Sequence, residues 1–224
     1  MTPVSARREP ALRSRAWTSA NDVLHVVPEG TAPPVDIPAD VLAAASATYL
    51  AGERLDMQRL ALDLGISRAT LYRRAGNRDA LLASVLWWHG RRTLVEAVQR
   101  TARTRGVDRV IAVTRLVLTV GDQSVPLRRF VAAEPEVAMR VLTGAHGGIQ
   151  GRYVDCYQRL FDLEAERGHV SFSLDLPSLA YAVVRLAEGF LYADVIGDRE
   201  RDIGRAEALV AGLLRGLDTT RRPD

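Results

Sequence analysis

From Pro38 to Leu217 the apolar residues recur at steps of three and four, the spacing of buried helix faces, and predict an all-α fold. Val41, Leu42, Ala44, Ala45 and Tyr49 form the first stripe; Pro38 is tolerated in its opening turn and Gly52 ends it. Asp56 caps a second helix, whose inner face holds Leu60, Ala61 and Leu64. Gly65 suits the left-handed backbone of a tight helix stop, and Ser67 caps the next helix. That third helix points Leu71 inward and exposes Arg68, Thr70, Arg73 and Arg74, so the two helices read as a helix-turn-helix.

A long fourth helix follows Gly76-Asn77 and runs from Arg78 to about Thr104, with Leu81, Leu82, Val85, Leu86, Trp88, Val95 and Val98 at helical spacing. Val107 to Val120 is nearly all apolar, which suits a helix buried on most sides and makes its central charge, Arg115, conspicuous. Pro126 and Pro135 divide the next stretch into two short helices around Phe130, and Gly144 to Gly148 reads as a loop. Ile149, Tyr153, Cys156, Leu160 and Leu163 share one face. A helix from Pro177 through Ile196 carries two apolar stripes, and the last, Ile203 to Leu217, offers Ala208, Ala211 and Gly212 for close approach. Two such helices pairing with their symmetry mates would make a four-helix homodimer interface.

Residues 1–35 lack this periodicity, contain five prolines, and read as a flexible arm whose first half is basic through Arg7, Arg8, Arg13 and Arg15. The expected organisation is that arm, a helix-turn-helix DNA-binding domain over 36–83, and a larger helical domain over 84–220. Net charge is only +3, but Ser67 to Arg92 holds six arginines against one acid, Asp79, so the positive field is local. All 30 basic residues are arginine, in keeping with a GC-rich coding sequence. No run approaches a membrane span and no signal peptide opens the chain, so a cytoplasmic protein without a membrane partner is expected. The lone cysteine, Cys156, excludes an intrachain disulfide and reads as a small buried apolar residue.

Leu60-Ala61, Gly65-Ile66-Ser67, Ala69-Thr70-Leu71-Tyr72 and Asn77-Arg78-Asp79-Ala80-Leu81 resemble the N-terminal signature of TetR-type bacterial transcriptional regulators, over about residues 38 to 85. The downstream helices are similar to the QsdR-like subgroup, which points to a lactone or acyl ligand. Arg74 and Ala75 stand where the family usually has an aromatic pair, and Asp56 where it often has Thr. The resemblance implies that 84–220 is the effector-binding and dimerisation domain, with a dimer on a palindromic double-stranded DNA operator, most simply as a repressor, released by a small, mostly apolar effector. It implies phosphate anchors at Thr70, Tyr72 and Arg78, with the backbone at Ser67 and Ala69 assisting. Arg68 and Arg73 suit guanine, whose major-groove edge accepts two bonds from one guanidinium, and Arg74 suits either role.

Polar or aromatic groups on otherwise apolar helices are the candidates for an effector pocket: Trp88, His89, Arg115, Phe130, His146, Tyr153, Tyr157, Tyr181, Arg185, Glu188 and Tyr192. Aromatics such as Trp88 and Phe130 are also ordinary core residues, and Arg185 and Glu188 could simply face solvent. An enzyme is not expected. The four histidines are scattered and there is no metal-spaced cluster, nucleophile elbow or phosphate loop, so neither cofactor nor metal is implied. A DNA-binding regulator without a ligand, or a helical scaffold that binds no DNA, are the competing readings.

Overall fold

The computed structural model describes residues 19–28, 37–144, 148–197 and 199–220. Twelve helices are present among them, together with an isolated bridge between Phe172 and Asp218. The first, α1 (Ser19–Val26), corrects the flexible-arm expectation for part of residues 1–35. It buries Val23 and Val26, with Val27 just beyond its end, against α5 (Arg78–Arg100) and α9 (Ile149–Glu166).

Three helices form the head: α2 (Ala39–Leu50), α3 (Met57–Asp63) and α4 (Arg68–Ala75). Their boundaries follow from local chemistry. Asp56 accepts bonds from the amides of Gln58 and Arg59, at 2.7 and 2.9 Å, and so starts α3. Gly65, at φ +64°, makes the turn, and Ser67 Oγ accepts from the Thr70 amide at 3.1 Å to start α4. Asn77 does the same for α5 by accepting from the Ala80 amide at 2.8 Å. Helix α5 is 23 residues long, or about 35 Å at the α-helical rise.

The remainder comprises α6 (Gly106–Gln123), α7 (Val125–Ala133), α8 (Pro135–Thr143), α9, α10 (Leu176–Leu191), α11 (Ala193–Gly197) and α12 (Ile203–Leu217). Two apolar cores result. One joins the head to the first half of α5 and to α7 and α8, through Val41, Leu60, Leu71, Leu81, Phe130 and Val141. The other joins the second half of α5 to α1, α6, α9, α10 and α12, through Leu94, Val110, Phe161, Leu179 and Leu214. Tyr153 packs against both. Between them α5 is continuous, so the head and the larger helical part share one rigid element.

The buried charge of α6 is Arg109, not the Arg115 singled out by its sequence. Arg109 has no exposed surface and donates at 2.8 Å both to Asp22 on α1 and to Glu164 on α9. Arg167 also binds Asp22, while the Gly106 amide donates to Glu164 at 2.6 Å and His169 Nδ1 lies 2.9 Å from the same carboxylate. Gly106 has φ +60°, and a Cβ there would meet the His169 carbonyl at 2.8 Å, so that close approach requires glycine. Arg115 instead lies at the surface and pairs with Glu207, its Nε 2.7 Å from the carboxylate.

Candidate DNA-reading face and interior cavity

Helix α4 is amphipathic in a simple way. Leu71 and Ala75 are fully buried, whereas Arg68, Ala69, Tyr72, Arg73 and Arg74 are exposed. Ala75, where the family has an aromatic, closes the core with a methyl group and leaves no exposed surface. Thr70 is half-buried, and its hydroxyl lies 2.9 Å from that of the Ser67 cap, which fixes both at the start of the helix. Among the described residues Arg68, Arg73 and Arg74 form no ion pair, so three guanidiniums stand free on one short helix. Arg78 is placed differently. Its Nε donates to the Leu55 carbonyl at 2.7 Å and its second nitrogen pairs with Glu134, at the junction of α7 and α8. Arg54 reaches the same carboxylate at 3.4 Å, so Arg78 clamps the head to the larger part of the chain.

Below the head a cavity of about 360 Å³ opens among α2, α5, α6, α7, α8, α9 and α10. Its wall is mainly aliphatic, including Leu86, Leu118, Leu142, Val184 and Leu191, with polar groups at a few points. Of the residues expected to form a pocket, His89, Tyr153, Tyr157, Glu188 and Tyr192 line it together. The others do not. Trp88 is 45% exposed, and its neighbour Trp87 is the buried one at 2%. Phe130 packs in the upper core, Arg115 is at the surface, and Tyr181 and Arg185 are exposed on the outer side of α10. His146 lies outside the described residues.

Several wall residues were not anticipated, and Tyr49 is the most consequential. It sits on the last turn of α2, in the head, yet lines the cavity, with its ring centroid 5.5 Å from that of His89. Its place on an apolar stripe concealed this, although a phenol among alanines was a signal that its hydroxyl needs a partner. Arg92, Thr93 and Glu96, on the next turns of α5, line the rim.

The electrostatics follow from burial. Burial pushes the Tyr49 phenol up to about 12, against the opposing hydrogen bond to Ser124, and also raises Tyr153, Tyr157 and Tyr192, so all four stay protonated. Desolvation, then the charge of Arg92, holds His89 below its ordinary value and leaves the imidazole neutral. Its Nε2 is buried without a hydrogen-bond partner. Desolvation raises Glu188, against bonds to Oε2 from Gln150 at 2.6 Å and Arg185 at 3.1 Å. Cys156 is buried and its thiol is raised to about 12 by desolvation, which makes it inert packing. Among the described residues no His, Cys, Asp or Glu cluster could hold a metal ion.

A model of the tetracyclin repressor-like C-terminal domain matches residues 105–215. The structure of the transcriptional repressor QsdR from R. erythropolis, of the TetR family, is similar at 31% identity with a TM-score of 0.71, over 83% of this chain and 100% of that one. This chain belongs to the TetR family. A second structure assigned to the family, from Mesorhizobium loti, is 15% identical with a TM-score of 0.42, over 79% of this chain and 92% of that one, and carries no argument. Among curated proteins none matches. TetR-family proteins are transcriptional regulators and not enzymes, and the QsdR similarity expected from the sequence is present. No single helix among the described residues is long and apolar enough to cross a membrane.

Proposed function

We propose that this TetR-family regulator is a homodimeric repressor that binds a palindromic DNA operator through α4 and is released when a small, mostly apolar effector fills the cavity. The observation that carries this reading is Tyr49, which belongs to the head and to the cavity wall at once. A ligand that displaces Tyr49 or the α7 residues it touches shifts the head against α5. The head is tied to Glu134 through Arg78, which also donates to the Leu55 carbonyl, and Arg140 donates to Asp79 in the first turn of α5 at 2.9 Å. Glu134 and Arg140 both belong to the short α7–α8 segment that also borders the cavity through Ser124, Leu127 and Leu142.

In the DNA complex, Arg68 and Arg73 are the base readers, Thr70 and Tyr72 the phosphate contacts, and Arg74 supplies either. Ser67 and Ala69 contribute backbone amides at the helix start, where the dipole favours phosphate. Arg78 serves as the interdomain clamp in preference to a phosphate anchor, because its Nε and one terminal nitrogen are already engaged. The dimer forms on the outer faces of α10 and α12, where Tyr181 is 52% and Leu209 47% exposed and Ala208 and Gly212 permit close packing. Selection of bound sequences from random DNA tests the reading. An inverted repeat is expected, its half-sites one helical turn or a multiple apart, with affinity that falls steeply with salt. Binding with no enriched sequence would overturn it.

A further inference from the structure

We propose that the occupant of the cavity is an uncharged amphiphile, an apolar body bearing one unionised polar head, and that His89 Nε2 makes the hydrogen bond to that head. The inference rests on the cavity being the effector site and adds the chemical class of what enters it.

Charge balance in the wall is the first reason. Glu188 already takes Arg185 and Gln150 on one oxygen, so its charge is compensated by the protein. At the rim, Glu96 is paired with Arg100 at 3.1 Å, and Arg92 is exposed, so its charge stays in water. An ion brought from the rim in among Leu86, Leu118 and Val184 would lose its hydration unrewarded. A carboxylate head fares worst, since the half-buried Glu188 carboxyl lines the same space.

His89 is the second reason. A buried polar atom ordinarily has a hydrogen-bond partner, and Nε2 of His89 has none in the protein. Its ring is held by Tyr49 at a tilt of 36°, on the cavity wall. As a neutral imidazole it either donates to a carbonyl or accepts from a hydroxyl, according to tautomer. It offers a single hydrogen bond and no net charge, which defines the head it selects.

The full-length protein, titrated with decanamide, decanol and decanoate at matched free concentrations and neutral pH, tests this by calorimetry and melting temperature. Both neutral probes are expected to bind and raise the melting temperature, with decanoate at least about tenfold weaker. His89→Phe keeps an aromatic ring but is expected to lose about tenfold for decanamide, and His89→Gln to retain most of it. Decanoate binding as tightly as decanamide, or wild-type affinity in His89→Phe, would overturn the inference and leave the cavity as a binding site. The comparison of probes on the unaltered protein stands whatever the variants do. If none of the three probes shifts the melting temperature, it is the effector reading itself that fails.

Discussion

Arg109 lies between Asp22 and Glu164 with all three side chains out of water, so the cost of disturbing it is set by what remains behind. Arg109→Met leaves two buried carboxylates with only the partly exposed Arg167 between them and is expected to cost roughly 3–5 kcal/mol in urea unfolding. The same cluster gives the protein an acid limit. Burial alone would raise the Asp22 carboxyl, but hydrogen bonds from Arg167 and Arg109 outweigh it and hold the group below the ordinary aspartate value. A depressed carboxyl stabilises the fold above its unfolded value and loses that contribution as pH falls through the folded one. Asp22→Asn should therefore be less stable than wild type at neutral pH, with the gap narrowing under acid. On the DNA side, Arg73→Ala is expected to lose roughly 1–3 kcal/mol on the selected site and less on random DNA. Equal losses would remove Arg73 as a base reader. Periodicity could not distinguish Trp87 from Trp88, because a helix buried on more than one side has no single inner face. Nor could it find Arg109, whose partners are 87 and 55 residues away.

At the scale of elements, the caps were the legible part. Asp56 and Ser67 start α3 and α4 as their side chains predict, because capping is settled within three residues, and Asn77, read from the sequence only as a break, caps α5 in the same way. Asn77→Ala is expected to cost about 1 kcal/mol of stability, measured as a shifted urea midpoint. Helix α1 was not legible. Eight residues long, with Asp22 on its inner side, it presents no convincing stripe until its neighbours on α5, α6 and α9 are in place. Its helicity comes from tertiary packing and not from propensity. Removal of residues 1–28 exposes the apolar surface that Val23, Val26 and Val27 cover and strips Arg109 and Arg167 of Asp22. The truncated protein should melt well below the full chain, whereas a dispensable arm would leave the melting temperature unchanged.

For the molecule as a whole, the all-α architecture and the separate head followed from spacing and turn chemistry, while the cavity did not. A cavity is what remains when several helices pack imperfectly, and it depends on how α2 meets α5 and α7, which no single stretch encodes. That junction also carries the regulatory claim. Tyr49 enters the cavity wall from above, and Glu134 binds Arg78 and Arg54 of the head from the α7–α8 corner. Glu134→Gln weakens this clamp without touching the cavity lining. It is expected to leave ligand affinity nearly unchanged while reducing the ligand's effect on DNA binding. The most direct measurement of the coupling is fluorescence anisotropy on the selected operator, with the cavity empty and then saturated by a ligand that raises the melting temperature. The account predicts operator affinity weaker by about 5- to 150-fold when the cavity is filled, and ligand affinity reduced by the same factor on operator-bound protein. Identical operator affinity in both states would contradict it.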